Sequence, residues 1–186
     1  MRPPERIALD GMLVRRWIPA DVPPLLTAVL KSFESLHPWM PWAAQPPVLR
    51  EMEAFVESAI SQWDTGEAYL YGIFGPDDGH VLGTVGLHAR LDTGALEVGY
   101  WLHADHTGRG LMTRAARAVT EAGLALPGVE RIEIHCDQAN VASAAVPRRL
   151  AFDLDRVVDD DKDAPAKTGR CMIWIRRRSP AAPQTA

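Results

Sequence analysis

A junction between a strand and a helix carries the residue pattern with the clearest chemical meaning in this chain. An apolar segment, residues 97–102, leads through a polar hinge into Gly108-Arg109-Gly110 and then into a segment with helical periodicity. The first amide N–H groups of a helix have no partner within it and lie at the positive end of its dipole. Glycine lets a ligand approach the backbone closely. The amides of residues 107–112 are therefore a candidate receptor for phosphate, although a simple tight turn could carry the same two glycines.

The composition is that of a globular protein and narrows the classes of ligand. With 186 residues, of which 47% are hydrophobic and 24% charged, the chain is expected to form one domain with a substantial core. Its net charge of −4 argues against nucleic acid as the main ligand, because nucleic acid binding requires a large basic surface. No apolar run approaches the roughly 20 residues that a membrane span needs, so no membrane partner is expected.

The cysteines and the first residues bear on the compartment. Cys136 and Cys171 both lie in apolar, strand-like segments. This position is typical of buried free thiols in a reducing compartment, although a disulfide between them stays open at this point. The first residues lack the apolar stretch of a secretory leader. A cytoplasmic protein is therefore expected.

The order of the apolar patterns predicts a mixed α+β domain in residues 1–178. Seven strands are predicted, at residues 12–17, 69–74, 81–91, 95–102, 131–136, 152–158 and 170–176. Helical spacing predicts four helices, which begin near residues 22, 48, 111 and 141. The acidic segment 159–169 is expected to be a mobile loop. Residues 179–186 are expected to be a disordered tail.

Four segments stand in a recognisable order along the chain. They are the tryptophan–proline segment 36–43, the strand-like residues 83–87, residues 97–102 with Asp105-x-x-Gly108-x-Gly110, and residues 140–152, which begin Asn-x-x-Ser and end Leu-Ala-Phe. With these segments the chain resembles the GNAT superfamily of acetyl-CoA-dependent N-acetyltransferases, and within it the RimJ/RimL-like branch that acetylates N-termini of ribosomal proteins. In that order, the segments are similar to the branch's tryptophan–proline segment and to the family's third strand, its fourth strand with the pyrophosphate loop, and its Asn-x-x-Ser … Leu-Gly-Phe helix. The resemblance implies the GNAT fold: a mostly antiparallel mixed sheet of about seven strands flanked by helices, with a V-shaped splay between strands 4 and 5.

The resemblance also implies a reaction, with acetyl-CoA as cosubstrate and no metal. The acetyl group would pass directly from acetyl-CoA to a primary amine in a ternary complex. A protein or peptide α-amine is the expected acceptor, because an α-amine with a pKa near 8 is about 10% neutral at pH 7, whereas a lysine amine is well under 1% neutral. A small amine such as an aminoglycoside, a polyamine or an amino-acid-like toxin is the alternative substrate. A non-catalytic acyl-CoA-binding module is the alternative class.

The same resemblance implies where acetyl-CoA would bind. Its thioester and pantetheine are expected beside the end of the strand, where a backbone N–H would polarise the thioester carbonyl. Its diphosphate is expected at the loop amides, with a charge-assisted contact from Arg109. Asn140 is expected to cap the next helix and to contact the pantetheine. The expected cofactor-binding residues are Trp101, Leu102, His103, Thr107, Gly108, Arg109, Gly110, Leu111, Met112, Thr113 and Asn140.

Glu97 and Ser143 are the expected catalytic residues. Glu97 would act as a base through a water molecule, unless it is simply an ion-paired strand residue. Many members of the superfamily carry a tyrosine in the helix that follows Asn140, but Pro147 occupies that position here. Ser143 is then the expected donor that stabilises the leaving thiolate by hydrogen bonding. Two histidines, His88 and His135, are secondary candidates for the base.

Two positions depart from the family pattern. Asp105 stands where the superfamily usually has Gln or Arg, so a side-chain contact to the ligand is not expected there. Ala151 replaces the glycine of Leu-Gly-Phe, at a cost of about 1 kcal/mol if the turn requires a positive φ.

Three other features have simpler interpretations. His103 and His106 have the spacing of metal ligands, but no third ligand stands beside them in the sequence, so no metal site is expected. Trp39, Trp42 and Trp63 are expected either to wall the acceptor cleft or to pack in the core. An exposed sheet edge is compatible with a homodimer.

Overall fold

The computed structural model describes residues 1–89 and 91–178, and in these residues a single mixed sheet connects the whole fold. Its strands are β1 (Arg6–Leu9), β2 (Met12–Arg16), β3 (Ala68–Phe74), β4 (Val81–His88), β5 (Ala95–Leu102), β6 (Arg131–Asp137), β7 (Asp153–Asp159) and β8 (Arg170–Arg177). They lie in the order β1-β2-β3-β4-β5-β6-β8-β7. Every neighbouring pair is antiparallel except β5 and β6, which are parallel.

The helices cover both faces of this sheet. They are α1 (Val22–Leu36), α2 (Leu49–Thr65), α3 (Leu111–Leu124) and α4 (Val141–Arg149). One apolar cluster joins α1 and α2 to one sheet face, and a second joins α3 and α4 to the other. The periodicity of α3 explains its position, because Leu111, Ala115 and Val119 are all buried on one side of the helix. The predicted α+β class is confirmed.

The sheet has one strand more than the sequence indicates. The additional strand, β1, pairs in register with β2 from Arg6↔Arg15 to Leu9↔Met12. It has only four residues, which alternate between exposed and half-buried, so it buries little apolar surface. Prediction from hydrophobic pattern misses such short edge strands because they bury little side-chain surface.

The parallel pair β5–β6 is where the sheet opens. The two strands are in register only from Ala95↔Arg131 to Glu97↔Glu133. Beyond that point β5 continues along β4 up to Leu102, whereas β6 continues along β8 up to Asp137. The strands therefore diverge into a V. This confirms the predicted splay, since β5 and β6 are the fourth and fifth strands when β1 is left out.

The acidic segment 159–169 is fastened to the domain, contrary to the expectation of a mobile loop. The Ala166 N–H donates to the Pro38 carbonyl oxygen at 2.9 Å. Lys167 forms ion pairs with Asp160 at 3.0 Å and with Asp163 at 2.7 Å. The Asp137 carboxylate accepts the Thr168 N–H at 2.7 Å. These bonds join the segment to the connection between α1 and α2 and to the end of β6.

Two further expectations concern the limits of the chain and the membrane. The predicted tail, residues 179–186, lies outside the described residues. In the described ranges, no helix is both long enough and apolar enough to cross a membrane.

Candidate active site

A cavity of about 1140 Å³ fills the V between β5 and β6 and extends between the two helical layers. Alternation of side chains along β5 divides its wall between the two sheet faces. Glu97, Gly99 and Trp101 face α1 and α2, and Val98, Tyr100 and Leu102 face α3 and α4. The cavity is thus open to ligand groups from both sides of the sheet.

One edge of β5 is left open by the splay. The His103 N–H donates to the Leu82 carbonyl oxygen at 2.8 Å, so the amide of His103 is directed towards β4. Successive residues of a strand direct their backbone groups to opposite edges. The amides of Tyr100 and Leu102 therefore point towards the side from which β6 has departed. Of the residues 101–103 expected at the thioester, His103 has its amide engaged, and Leu102 presents its amide to the open edge.

His103 has a structural role at the hinge that follows β5. Its Nδ1 atom accepts the Asp105 N–H at 3.1 Å, at the start of the 3₁₀ turn Ala104–His106. Burial lowers the pKa of His103, which favours the neutral ring that this hydrogen bond requires. The His103 ring packs edge-on against His106, with ring centroids 5.1 Å apart. Across residues 1–89 and 91–178, no three His, Cys, Asp or Glu side chains are arranged to hold a metal ion.

The loop between β5 and α3 presents a row of backbone donors. Gly108 and Gly110 have φ values of +74° and +71°, a left-handed conformation that strongly favours glycine. Among the described residues, no protein acceptor takes the N–H groups of residues 108–113. Thr107 differs, because its N–H donates to the Ala104 carbonyl oxygen at 3.5 Å. The donors thus lie slightly further along the chain than the predicted 107–112.

The arginines beside this loop lie close to those amides. The Arg109 guanidinium donates to the Asp105 carbonyl oxygen at 3.2 Å. Arg114 donates to the carbonyl oxygens of Arg109 at 3.5 Å and of Asp10 at 3.3 Å. Both side chains are exposed, so their positive charge adds to that of the helix N-terminus. The Asp105 side chain takes no part in this arrangement of donors.

Ser143 lies at the other end of the open β5 edge. Asn140 caps α4 as predicted, because its Oδ1 atom accepts the Ser143 N–H at 3.0 Å. The Ser143 Oγ donates to the Tyr100 hydroxyl at 3.3 Å, and that hydroxyl donates to the Ser143 carbonyl oxygen at 3.0 Å. Burial raises the pKa of Tyr100, so it stays a neutral donor. Cys136 lines the cavity next to this pair.

Tyr100 is not among the site residues predicted from the sequence, although a signal for it is present there. In a regular helix the Ser143 carbonyl accepts the N–H of residue 147, but Pro147 has no N–H. A carbonyl without its helical partner requires another donor. Tyr100 supplies that donor from the strand. Tyr100 thus replaces the hydrogen bond that Pro147 removes from α4.

On the opposite sheet face, acidic residues and histidines gather around Glu97. Glu97 is buried, with 7% of its surface exposed. The His135 Nδ1 atom lies 3.8 Å from Glu97 Oε2, and the His135 Nε2 atom lies 2.7 Å from Glu133 Oε2. His88 pairs in register with Glu97 from β4 and also lines the cavity. The three side chains predicted as candidate bases, Glu97, His88 and His135, therefore lie close together. Glu133, which is not predicted from the sequence, lies beside them.

The outer wall of the cavity is aromatic and partly acidic. Trp39 and Trp42 line it, and the Trp42 ring lies 6.4 Å from that of Trp101. Trp63 does not reach the cavity, because it is buried in the core against Tyr69 and Tyr71. Of the three tryptophans expected either at the cleft or in the core, Trp39 and Trp42 thus line the cleft and Trp63 packs in the core. Asp160, Asp163 and Lys167 complete the wall from the fastened acidic loop.

Comparison with known proteins agrees with this geometry. YdaF of Bacillus subtilis (strain 168), which carries the name of a ribosomal N-acetyltransferase, is 28% identical over 147 residues, which are 77% of this chain and 78% of YdaF. Two solved structures share the fold. The ribosomal L7/L12 alpha-N-protein acetyltransferase RimL in complex with coenzyme A has a TM-score of 0.84 and 24% identity, over 93% of this chain and 98% of that chain. The microcin C7 self immunity acetyltransferase MccE in complex with acetyl-CoA and AMP has a TM-score of 0.83 and 18% identity, over 91% and 93%.

A family model describes the greater part of the chain. The model described as an acetyltransferase (GNAT) domain matches residues 12–153, from β2 to the first residue of β7. This range contains the donor loop, the open edge of β5 and all of α4. The protein therefore belongs to the GNAT family of acetyltransferases.

Proposed function

We propose that this protein transfers the acetyl group of acetyl-CoA to the α-amine of a protein or peptide N-terminus, by direct attack in a ternary complex. One observation carries the proposal: the open β5 edge leads from the unengaged amides of residues 108–113 to Ser143, and Ser143 lines a cavity whose other face holds Glu97. The diphosphate of acetyl-CoA requires the amides, its thioester requires the open edge and Ser143, and the acceptor amine requires the face that holds Glu97. The names of YdaF and RimL support the choice of a ribosomal protein as the acceptor.

Binding of acetyl-CoA is assigned to the backbone first. The diphosphate would accept hydrogen bonds from the amides of residues 108–112 and lie near Arg109, with Thr113 at the inner end of the row. The pantetheine would extend along the open edge of β5 as an added strand, next to Leu102. Asn140 contributes by fixing the start of α4. RimL and MccE support this assignment because both share the fold and were solved with coenzyme A or acetyl-CoA.

The chemical step requires a neutral amine and a stabilised leaving group. A backbone N–H on the open edge of β5 would stabilise the oxyanion of the tetrahedral intermediate. The Ser143 hydroxyl would donate to the sulfur as the carbon–sulfur bond breaks. Glu97 would draw the ammonium of the acceptor into the cavity, and the ammonium would lose its proton to Glu97 or to a group beside it, directly or through a water molecule. Trp39 and Trp42 would border the entrance that the acceptor uses.

The partners and the compartment complete the proposal. We infer a cytoplasmic protein, since Cys136 and Cys171 are both free thiols. Residues 1–178 would act as one acetyltransferase domain. A homodimer stays a prediction that sedimentation velocity can check.

A panel of amines tests the acceptor class. Purified protein, acetyl-CoA and one amine are mixed, and product is measured by mass spectrometry. The panel contains peptides with a free N-terminus, the same peptides blocked at the N-terminus but containing lysine, a polyamine and an aminoglycoside. We expect acetylation of the free N-termini alone. Turnover of small amines alone would make this a small-molecule acetyltransferase, and coenzyme A binding without turnover of any amine would make it a binding module.

A further inference from the structure

Three ionisable side chains meet at the bottom of the V, on the face turned towards α1 and α2. Glu97↔Glu133 is the last register pair before β5 and β6 separate, and His135 follows two residues later on the same face of β6. Glu133 is almost completely buried, with 1% of its surface exposed. Glu97 and His135 line the cavity. The histidine therefore stands between a buried carboxylate and the space where an acceptor would enter.

The Glu133 carboxylate determines which nitrogen of His135 carries the proton. Burial acts to raise the pKa of Glu133, but hydrogen bonds from His135 and Arg131 outweigh burial and the pKa is lowered. Glu133 is thus an ionised acceptor, with its Oε1 atom 2.8 Å from Arg131 Nε and its Oε2 atom 2.7 Å from His135 Nε2. A carboxylate can only accept, so Nε2 of His135 carries the hydrogen. In the neutral ring, Nδ1 is left as an acceptor that faces the cavity.

The distance between His135 Nδ1 and Glu97 Oε2 suits a cationic amine. At 3.8 Å these two atoms are too far apart for a direct hydrogen bond. Both atoms are hydrogen-bond acceptors, so a third group that lies between them can donate a hydrogen bond to each. An ammonium has three N–H donors, so one ammonium can donate to both atoms at once.

We propose that His135 accepts the proton which the acceptor's ammonium must lose before it attacks, and that Glu133 is the positioning residue that holds Nδ1 ready for it. The inference rests on the proposed function and specifies its proton path. The ammonium gives one proton to Nδ1 and becomes a neutral amine. The amine nitrogen bonds to the thioester carbon, the carbon–sulfur bond breaks, and the second amine proton ends on the coenzyme A sulfur. The imidazolium then releases its proton to solvent.

Charged and titratable groups face His135 from each of the neighbouring strands and from the acidic loop. On the strands, these groups lie on the same sheet face as His135: Glu133 and Asp137 on β6, Glu97 on β5, His88 on β4 and Cys171 on β8. From outside the sheet, the same cavity is lined by Asp160, Asp163 and Lys167 of the acidic loop and by Glu51 of α2. Among the described residues of this set, carboxylates are more numerous than cations. A proton that passes through the ring therefore lies among negative charges.

A pH profile of kcat/KM with a free-N-terminus peptide tests the proton path. We expect His135→Gln to lower kcat/KM at least tenfold at pH 7. The kcat/KM of this variant should recover as the pH rises through the pKa of the peptide's α-amine, because the amine is then already neutral. The dissociation constant for acetyl-CoA should stay unchanged, which shows that the fold and the first binding site are intact. His80→Gln is the matched control, because His80 is exposed and pairs with Asp77 in the β3–β4 turn.

Glu133→Gln separates a proton path from a purely structural role. This change removes the negative charge but keeps an oxygen that can accept the Nε2–H of His135. The imidazolium is then less stabilised, so the limb of the profile assigned to His135 should move to lower pH. A His135→Gln or Glu133→Gln profile that runs parallel to the wild type at a uniformly lower rate would overturn the proposal.

Nitrogen-15 NMR of the wild-type histidine rings keeps the inference testable if either variant fails to fold. At pH 8 we expect His135 to be the neutral Nε2–H tautomer, with its Nδ1 resonance perturbed by a peptide amine. A His135 ring that stays doubly protonated across pH 6–9, or that carries its hydrogen on Nδ1, contradicts the proton path. Failure of the proposed function is a different result, in which the wild type acetylates no peptide.

Discussion

The Tyr100 hydroxyl donates a hydrogen bond to the Ser143 carbonyl oxygen at 3.0 Å and accepts one from the Ser143 hydroxyl at 3.3 Å. Pro147 makes this pairing necessary, since it removes the N–H that a helix would offer to that carbonyl. Tyr100 therefore both completes the backbone of α4 and orients the hydroxyl that we place at the leaving sulfur.

Replacing Tyr100 by phenylalanine is expected to lower stability and activity together. The Ser143 carbonyl would lose its donor, at a cost of about 1 kcal/mol in the free energy of unfolding. The Ser143 Oγ atom would lose the phenol that holds it in place, so its hydroxyl would be less well positioned to turn to the sulfur and kcat should also fall. Tyr71→Phe is the matched control, because the Tyr71 hydroxyl donates to the Pro4 carbonyl oxygen at 2.9 Å, and Pro4 lies outside the cavity lining. Urea denaturation and steady-state kinetics should show a similar loss of stability in both variants, with a lower kcat in Tyr100→Phe alone.

Ser143→Ala tests the donor to the leaving group. We expect kcat to fall at least tenfold, which is about 1.4 kcal/mol in the activation free energy, while KM for acetyl-CoA changes little. The backbone N–H that Asn140 accepts and the carbonyl that Tyr100 contacts both remain in alanine. Ser58→Ala, an exposed change on α2, should match the wild type. An unaltered kcat in Ser143→Ala would remove the serine from the mechanism.

Gly108→Ala is expected to weaken binding of acetyl-CoA. An added methyl strains a residue held at φ +74° and narrows the approach to the donor amides, so KM and the dissociation constant should both rise. Gly128→Ala isolates the strain, because Gly128 has φ +79°, and neither glycine has an atom within 4 Å of the added carbon. Both variants should lose about 1–2 kcal/mol of stability. Calorimetric titration with coenzyme A should then separate them, and equal affinities would contradict a diphosphate site at Gly108.

The two cysteines provide a footprint of bound coenzyme A. Burial raises the pKa of the Cys136 thiol, and burial raises the pKa of Cys171 to about 11, so both should react slowly with iodoacetamide at pH 7 and faster as the pH rises. In register, Cys136 opposes Met172 and Cys171 opposes Asp137, so the two thiols lie on opposite sheet faces. Coenzyme A should therefore protect Cys136, beside Ser143, more than Cys171. Peptide mapping after alkylation measures this, and the reverse order of protection would place the ligand on the wrong face.

Ala151→Gly is expected to stabilise the fold without altering the chemistry. Ala151 has φ +54°, a left-handed conformation that costs an alanine about 1 kcal/mol relative to glycine. The glycine variant should therefore unfold at a higher denaturant concentration, with kcat unchanged. Ala118→Gly, in the middle of α3, should lose about 1 kcal/mol by the opposite argument. Loss of stability in Ala151→Gly would show that the turn is not strained in solution.

The sequence by itself determined the features that depend on neighbouring residues. The glycines of the donor loop, the Asn140 cap and the splay between the fourth and fifth predicted strands can all be predicted from the sequence. Each follows from local backbone chemistry or from a continuous family pattern. The strand β1 cannot be predicted in this way, because a four-residue edge strand buries little apolar surface.

Only the tertiary structure decided which distant side chains meet. Tyr100 and Ser143 lie 43 residues apart, and their contact depends on how far β5 runs past β6 after the last register pair. The same divergence sets His135 between Glu97 and Glu133. Packing also placed Trp63 in the core and fastened the acidic loop to Pro38. Strand register and helix packing are sums of many weak long-range contacts, so a single sequence predicts the elements better than it predicts the side chains that these elements bring together.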